Sequence, residues 1–192
     1  MPATGSGKER EIVGAALALF RDKGYHATSM QDIADAVGLQ KGSLYHYLAS
    51  KEELLYRIAL DTISEYDRRL EDIVGSELPA AEKLRRAVQA HVLMQSDDVG
   101  TVTLLRDSGA LQPEQREVIR GLTRRYADLV ETVIAGGIAS GEFRAVDAKM
   151  ATFAILGACN WIHRWYAPGG RLTPEAISAA YNDFFLRGLG SE

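Results

Sequence analysis

The stretch Thr28–Leu54, TSMQDIADAVGLQKGSLYHYLASKEEL, constrains what this chain can fold into more than any other. Thr28 and Gln31 have the spacing of a capping box, so Thr28 is expected to start a short helix. Ile33, Ala34 and Val37 give that helix one apolar face, and Gly38 stops it. After a tight turn at Leu39, a second short helix is predicted over 41–48, with Leu44 and Leu48 packed inward. Ser50 and Glu53 make a second capping box, which opens a long helix towards Val74. Helix, tight turn, helix and the capped start of a third is the layout of a helix-turn-helix, whose second helix lies in a DNA major groove.

Around this stretch the periodicity is helical almost throughout. A helix is predicted over 8–23, with Ile12, Ala15, Ala16, Leu19 and Phe20 on one face and Gly24 as its stop. Further helices are expected over 80–95, 101–108, 113–139, 147–167 and 174–189. Pro113 and Pro174 suit first helical turns, and Asp147 and Thr173 are natural N-caps. No stretch alternates long enough to argue a strand. The expected fold is all-α, about nine helices, with a three-helix helix-turn-helix domain at 1–50 and a helical domain at 51–192.

Composition bounds the partners. Of 192 residues, 46% are apolar and 25% charged, which suits a globular chain with a full core. The net charge of −4 argues against nucleic acid on totals alone. Up to Ser50, Lys8, Arg10, Arg21, Lys23 and Lys41 are balanced by Glu9, Glu11, Asp22, Asp32 and Asp35, so the direction in which the positives point must decide. Cys159, the only cysteine, reads as a small core filler. The N-terminus carries no apolar signal region and no run approaches membrane-spanning length, so a cytoplasmic location and no membrane partner are expected. The four histidines show no metal-ligand spacing, and no nucleophile motif is present. No metal, no cofactor and no enzymatic activity are expected. Gly5-Ser6-Gly7-Lys8 lacks the strand and full glycine spacing of a phosphate-binding loop.

With Leu44 and Leu48 turned inward, Lys41, Ser43, Tyr45 and His46 are left to point away, and all four are groove-facing types. Gly42 sits inside the helix at a cost of about 1 kcal/mol relative to alanine, which close approach to a phosphate backbone would justify. Thr28 and Ser29 are expected to offer hydroxyls and N–H groups to a phosphate. Lys51 begins a helix, where a cation opposes the macrodipole and a bound phosphate would offset it.

The chain resembles the TetR family of bacterial transcriptional repressors. The match runs through Ile12, Ala15, Ala16, Phe20, Gly24 and Tyr25, then through Thr28, Ser29, Ile33, Ala34, Val37, Gly38, Gly42, Leu44, Tyr45, Tyr47, Ser50, Lys51, Glu53 and Leu54. The resemblance implies that Thr28, Lys41, Gly42, Tyr45, His46 and Lys51 approach double-stranded DNA. It also implies a homodimer on a roughly palindromic operator. Gln40 stands where the family usually has serine or threonine; it is a poorer cap but a capable reader of adenine. Leu48 stands where the family usually has phenylalanine.

The rest of the chain is the variable, regulatory part of such proteins. On the last two helices, Ala151, Ile155, Ala158, Ile177, Ala180, Tyr181, Phe184 and Phe185 are expected to form the dimer interface as a four-helix bundle. In the block from Asn160 to Pro174, Trp161 and Trp165 fall one helical turn apart with Arg164 beside them. That block is similar to one in TetR-family repressors that respond to acyl-CoA thioesters, including regulators of fatty-acid and steroid breakdown. An acyl group asks for an apolar tunnel, for which Leu93, Met94, Val102, Leu105, Leu122, Tyr126 and Val130 are candidates. The phosphates ask for cations, for which Arg106, Arg120, Arg124, Arg125 and Arg164 are candidates. The expected effector site is therefore His91, Met94, Leu105, Arg106, Tyr126, Asn160, Trp161, Arg164 and Trp165, with His91 also readable as a packed core histidine. The competing readings are a TetR-type regulator of efflux or degradation that responds to an aromatic or drug-like compound, and a helical binding protein that does not read DNA.

Overall fold

The structure is a computed structural model, and it describes residues 7–97, 109 and 111–190. Among the described residues there are eight α-helices and no strand. In chain order they are α1 (Gly7–Lys23), α2 (Met30–Ala36), α3 (Lys41–Leu44), α4 (Lys51–Val74), α5 (Ala80–Asp97), α6 (Pro113–Ser140), α7 (Ala148–Asn160) and α8 (Pro174–Leu189). A short 3-10 turn, Ile162–Arg164, follows α7. The helix expected over 101–108 lies outside the described residues.

The chain divides into two compact units, one of residues 1–65 with 99–120 and the other of 66–98 with 121–192. In the first, α1 turns Ile12, Ala16 and Phe20 inward against Ile33 and Ala34 of α2, Leu44 and Leu48, and Leu54, Leu55 and Ile58 of α4. Gly24 (φ +85°) and Gly38 (φ +66°) end α1 and α2 in the left-handed region, where glycine avoids a Cβ clash. The predicted helix over 41–48 is shorter than expected, because α3 closes at Leu44. His46 N–H and Tyr47 N–H then bond to the carbonyls three residues back, the tightened geometry of a final turn. Leu48 stays buried all the same.

In the second unit, Leu84, Val88 and Val92 of α5 pack with Val130 and Ile134 of α6, Ile155 and Cys159 of α7, and Ile177 and Leu189 of α8. Asp147 and Thr173 cap α7 and α8, and Pro174 occupies the first turn of α8. The start of α5 is capped from far along the chain. The Glu142 carboxylate accepts from Ala80 N–H and Ala81 N–H at 3.1 Å each, and those bonds hold its pKa below the usual range. The helix expected over 147–167 ends early, at Asn160. His163 Nδ1 lies 2.6 Å from the Asn160 carbonyl oxygen, and Arg164 N–H turns to the Trp161 carbonyl, so the ladder tightens into 3-10 form.

Gly137 lies on the buried side of α6 beneath Phe143. A Cβ there would run into the Phe143 ring and sit 2.9 Å from Ala80 Cβ. Gly137→Ala is expected to lower stability by about 1–3 kcal/mol through overpacking, read as a lower urea midpoint with unchanged m.

Candidate functional site

The candidate reading surface is set by what lies under it. Leu44 and Leu48 are buried, so α3 is held from below and its outer residues face away. Tyr45 is 47% exposed; Gln40, Lys41, Gly42 and His46 are exposed, and Ser43 is half-buried. Gln40 occupies the N-cap of α3 and makes no side-chain capping bond, which leaves its amide groups to outside partners. A Cβ on Gly42 would meet nothing within 4 Å, so no contact inside the chain requires a glycine there.

Three expected contacts need correction. Thr28 does not cap α2 and is 1% exposed. Its hydroxyl donates inward to the Gly24 carbonyl at 2.9 Å, with Leu19 O at 3.3 Å, so it cannot meet a phosphate. The cap is Ser29, paired with Asp32 rather than Gln31. Asp32 N–H donates to Ser29 Oγ at 3.1 Å, while Ser29 N–H and hydroxyl both donate to the Asp32 carboxylate. Ser29 is exposed, but its hydroxyl is engaged and a carboxylate closes that helix end. Lys51 is half-buried and points into the fold. Its ammonium donates to the carbonyls of Tyr25 and Thr28, each at 2.9 Å, and lies 4.3 Å from the Tyr25 ring centroid. These carbonyls offset the unfavourable helix start. Burial, with Glu52 close by, pushes the Tyr25 phenol up to about 12.

The body holds a second constellation. His91 Nδ1 lies 3.2 Å from Tyr126 Oη, and His91 Nε2 lies 3.2 Å from Asn160 Oδ1. Gln95 Nε2 donates to Asn160 Oδ1 at 3.0 Å and sits 3.2 Å from His91 Nε2. Three expected residues, His91, Tyr126 and Asn160, are thus brought together from α5, α6 and α7. Gln95 joins them unpredicted. Its signal in the sequence is a second polar residue one turn after His91 on the same face as Leu84, Val88 and Val92. Beside the cluster, Leu84, Val88, Val130, Ile155, Leu156 and Cys159 surround a void of about 10 Å³. Of the expected tunnel candidates, Tyr126 and Val130 line this void. Met94 is half-buried and outside that lining, while Leu105 and Arg106 lie outside the described residues.

The aromatic block does not share one helical face, because the α-helix stops before it. Trp161 and Trp165 are 58% and 43% exposed, and the Arg164 guanidinium sits 5.6 Å from the Trp161 ring centroid. Arg125 is already paired with Asp67 at 3.2 Å and with Glu71, and Arg120 with Glu117 at 3.3 Å. The expected dimer row is also offset. Ile155 and Ile177 are buried in the protomer's own core, and Ala151, Ala158, Tyr181 and Phe185 are half-buried. The outward residues of α7 include Met150, Phe153, Ala154 and Gly157; those of α8 include Ala180 and Phe184, the latter 75% exposed. The two helices are neighbours, since Tyr181 Oη donates to Ala158 O at 3.4 Å.

Comparison with known proteins decides what kind of molecule carries these features. Residues 12–58 match the family described as "Bacterial regulatory proteins, tetR family", and residues 77–189 match "Tetracyclin repressor-like, C-terminal domain". The chain belongs to the TetR family. It is a helix-turn-helix transcriptional regulator of that family rather than a member of an enzyme family. The HTH-type transcriptional repressor KstR2 of Rhodococcus jostii (strain RHA1) is 30% identical over 97% of this chain and 93% of its own length. The crystal structure of the TetR-family regulator PfmR from Thermus thermophilus aligns with TM-score 0.85 and 37% identity, covering 94% of this chain and 99% of that one. AibR, solved in complex with isovaleryl coenzyme A and operator DNA, aligns with TM-score 0.81 and 30% identity over 92% and 97% of the two chains. No helix among the described residues of this TetR-family chain is long and apolar enough to cross a membrane.

Two predictions follow for the TetR-type head. Lys51→Met removes two bonds from a cation to backbone carbonyls, so stability should fall by about 1–2 kcal/mol, measured by urea unfolding. Asp32 is held well below the usual carboxylate range, first by the Ser29 hydroxyl, then by the Lys23 ammonium and the Ser29 N–H. A depressed folded pKa means that its contribution is complete above the unfolded value of about 3.9 and is lost as pH falls below it. The stability gap between wild type and Asp32→Asn should stay level from about pH 7 to pH 5 and shrink below about pH 4.

Proposed function

We propose that this chain is an effector-controlled transcriptional repressor that binds a palindromic operator as a homodimer in the cytoplasm and has no enzymatic activity of its own. The carrying observation is the α3 surface: Tyr45, Lys41 and His46 stand exposed on a turn anchored by Leu44 and Leu48, with open space at Gly42. The DNA-reading head is 1–50, and the effector-binding and dimerisation body is 51–192. Gln40, Lys41, Ser43, Tyr45 and His46 read the major groove, and Gly42 allows the backbone to approach a phosphate.

The dimer forms through the outward faces of α7 and α8, where Phe153, Ala180 and Phe184 offer apolar surface to their symmetry mates. The effector is an acyl-CoA thioester. The likeness to AibR, solved with isovaleryl coenzyme A, supports that class. The inner residues His91, Tyr126 and Asn160 meet its buried end, and Trp161, Arg164 and Trp165 its exposed end. Effector and operator then oppose one another by reciprocal coupling of about 1–3 kcal/mol.

The test is selection of duplexes from genomic fragments by the purified chain, followed by affinity measurements on the enriched site. A palindrome with half-sites a helical turn apart, or a multiple of that, should emerge. Affinity should fall steeply with salt. Tyr45→Ala should weaken operator binding by about tenfold or more with no change in melting temperature. Gly42→Ala should leave the fold intact, or stabilise it by up to about 1 kcal/mol, while weakening operator binding. Enrichment of no sequence, or full operator affinity in both variants, would reject the reading.

A further inference from the structure

Four polar side chains meet in the core of the second unit, and their hydrogen bonds do not close. Gln95 is 2% exposed, and its Oε1 has no hydrogen-bond partner in the structure. A buried, unsatisfied polar atom costs about 1–3 kcal/mol, so a site that keeps one invites a reason.

The pattern of donors and acceptors identifies what is missing. Asn160 Oδ1 receives Gln95 Nε2 at 3.0 Å and faces His91 Nε2 at 3.2 Å. If Nε2 carries the imidazole proton, it donates to Asn160 Oδ1, and Nδ1 accepts from the Tyr126 hydroxyl at 3.2 Å. Of these four contacts, all but the Gln95–His91 approach then set a donor on an acceptor. The unmatched Gln95 oxygen is an acceptor. A group that completes the cluster must therefore bring a donor.

Two members of the cluster, His91 and Tyr126, also border a small apolar void, which bears on the rest of such a group. Apolar side chains of α5, α6 and α7 line it. Burial pushes the Tyr126 phenol up and the Cys159 thiol up to about 12, so both stay neutral. The buried Asp67 carboxylate, paired with Arg125, adds to the upward push on Tyr126 and disfavours a further negative charge nearby. The void holds about one water-sized sphere, so anything larger must spread the three helices.

We propose that His91, Gln95, Tyr126 and Asn160 form the inner end of the effector site and recognise an uncharged, apolar group that bears a hydrogen-bond donor, an alcohol, phenol or secondary amide, through Gln95 Oε1. This rests on the reading of the body as effector-binding, and it adds the chemistry of the effector's buried end. A bare alkyl terminus or a carboxylate does not complete the cluster.

The test uses the full chain without DNA and two probes of nearly equal shape, para-propylphenol and para-propylfluorobenzene. By isothermal titration the phenol should bind at least about tenfold more tightly, the worth of one buried hydrogen bond. In Gln95→Met, which keeps the side-chain length, the preference should shrink to within about twofold. Should that variant unfold, the native chain labelled with 13C glutamine provides the readout: the Gln95 Cδ resonance should move with the phenol and not with the fluoro compound. Equal affinities, a preference unchanged in Gln95→Met, no binding of either probe, or a Cδ resonance that ignores the phenol would each overturn the assignment and leave a structural polar cluster or a site for a single water. Because no DNA is involved, such a failure leaves the operator reading standing. A failure to select an operator leaves these titrations fully interpretable.

Discussion

Burial of Leu44 and Leu48 is the constraint on which the reading head depends. A helix of four residues has no stability of its own, since nucleation alone outweighs so few hydrogen bonds. α3 holds its shape because those two leucines, at 0% and 2% exposure, lock it to a core of Ile12, Ile33, Leu54 and Ile58. Each full burial contributes about 1.5–3 kcal/mol. The same anchoring leaves Tyr45 and its neighbours outside on a rigid support, and it allows a glycine at position 42 to be tolerated.

Around that anchor the head is closed by polar ties that use its own charged groups. Lys51 holds the Tyr25–Thr28 connection to the start of α4, and Thr28 holds it to the end of α1. Asp32 satisfies the start of α2 and pairs with Lys23 at 2.9 Å. Groups that look available for DNA phosphates in a linear reading therefore serve as internal fastenings. The positive charge of the head is correspondingly less exposed than a residue count suggests. Base-edge contacts from the exposed part of α3 carry a correspondingly larger share of the proposed recognition.

The body's core is largely apolar, and one polar cluster in it joins three helices. Asn160, the last residue of α7, faces inward to His91 and Gln95, and Trp161 next to it faces outward. One residue step thus separates the buried end of the proposed effector site from its exposed end. Local signals showed most of the framework: Gly24 and Gly38 as helix stops, Asp147 and Thr173 as caps, Pro174 in a first turn, and Leu44 with Leu48 as an inward pair. On α7 they missed the outward stripe, since Ile155 is the protomer's own core while Met150 and Phe153 are exposed; on α8 Ile177 is core, while Ala180 and Phe184 of the expected row do face outward. A helix with apolar residues all round gives no periodic clue to which stripe its own subunit covers.

By itself the sequence determined the all-helical class, the caps, the glycine stops and the helix-turn-helix, because each is written in residues within about one or two turns of one another. Tertiary structure alone decided where Thr28 and Lys51 point, how α5 is capped by Glu142, and that His91 meets Asn160. The bonds from Lys51 to Thr28, from α5 to Glu142 and from His91 to Asn160 join partners 23 to 69 residues apart along the chain. A side chain's choice between solvent and a distant carbonyl depends on the packing that brings that carbonyl near, and no local pattern records it.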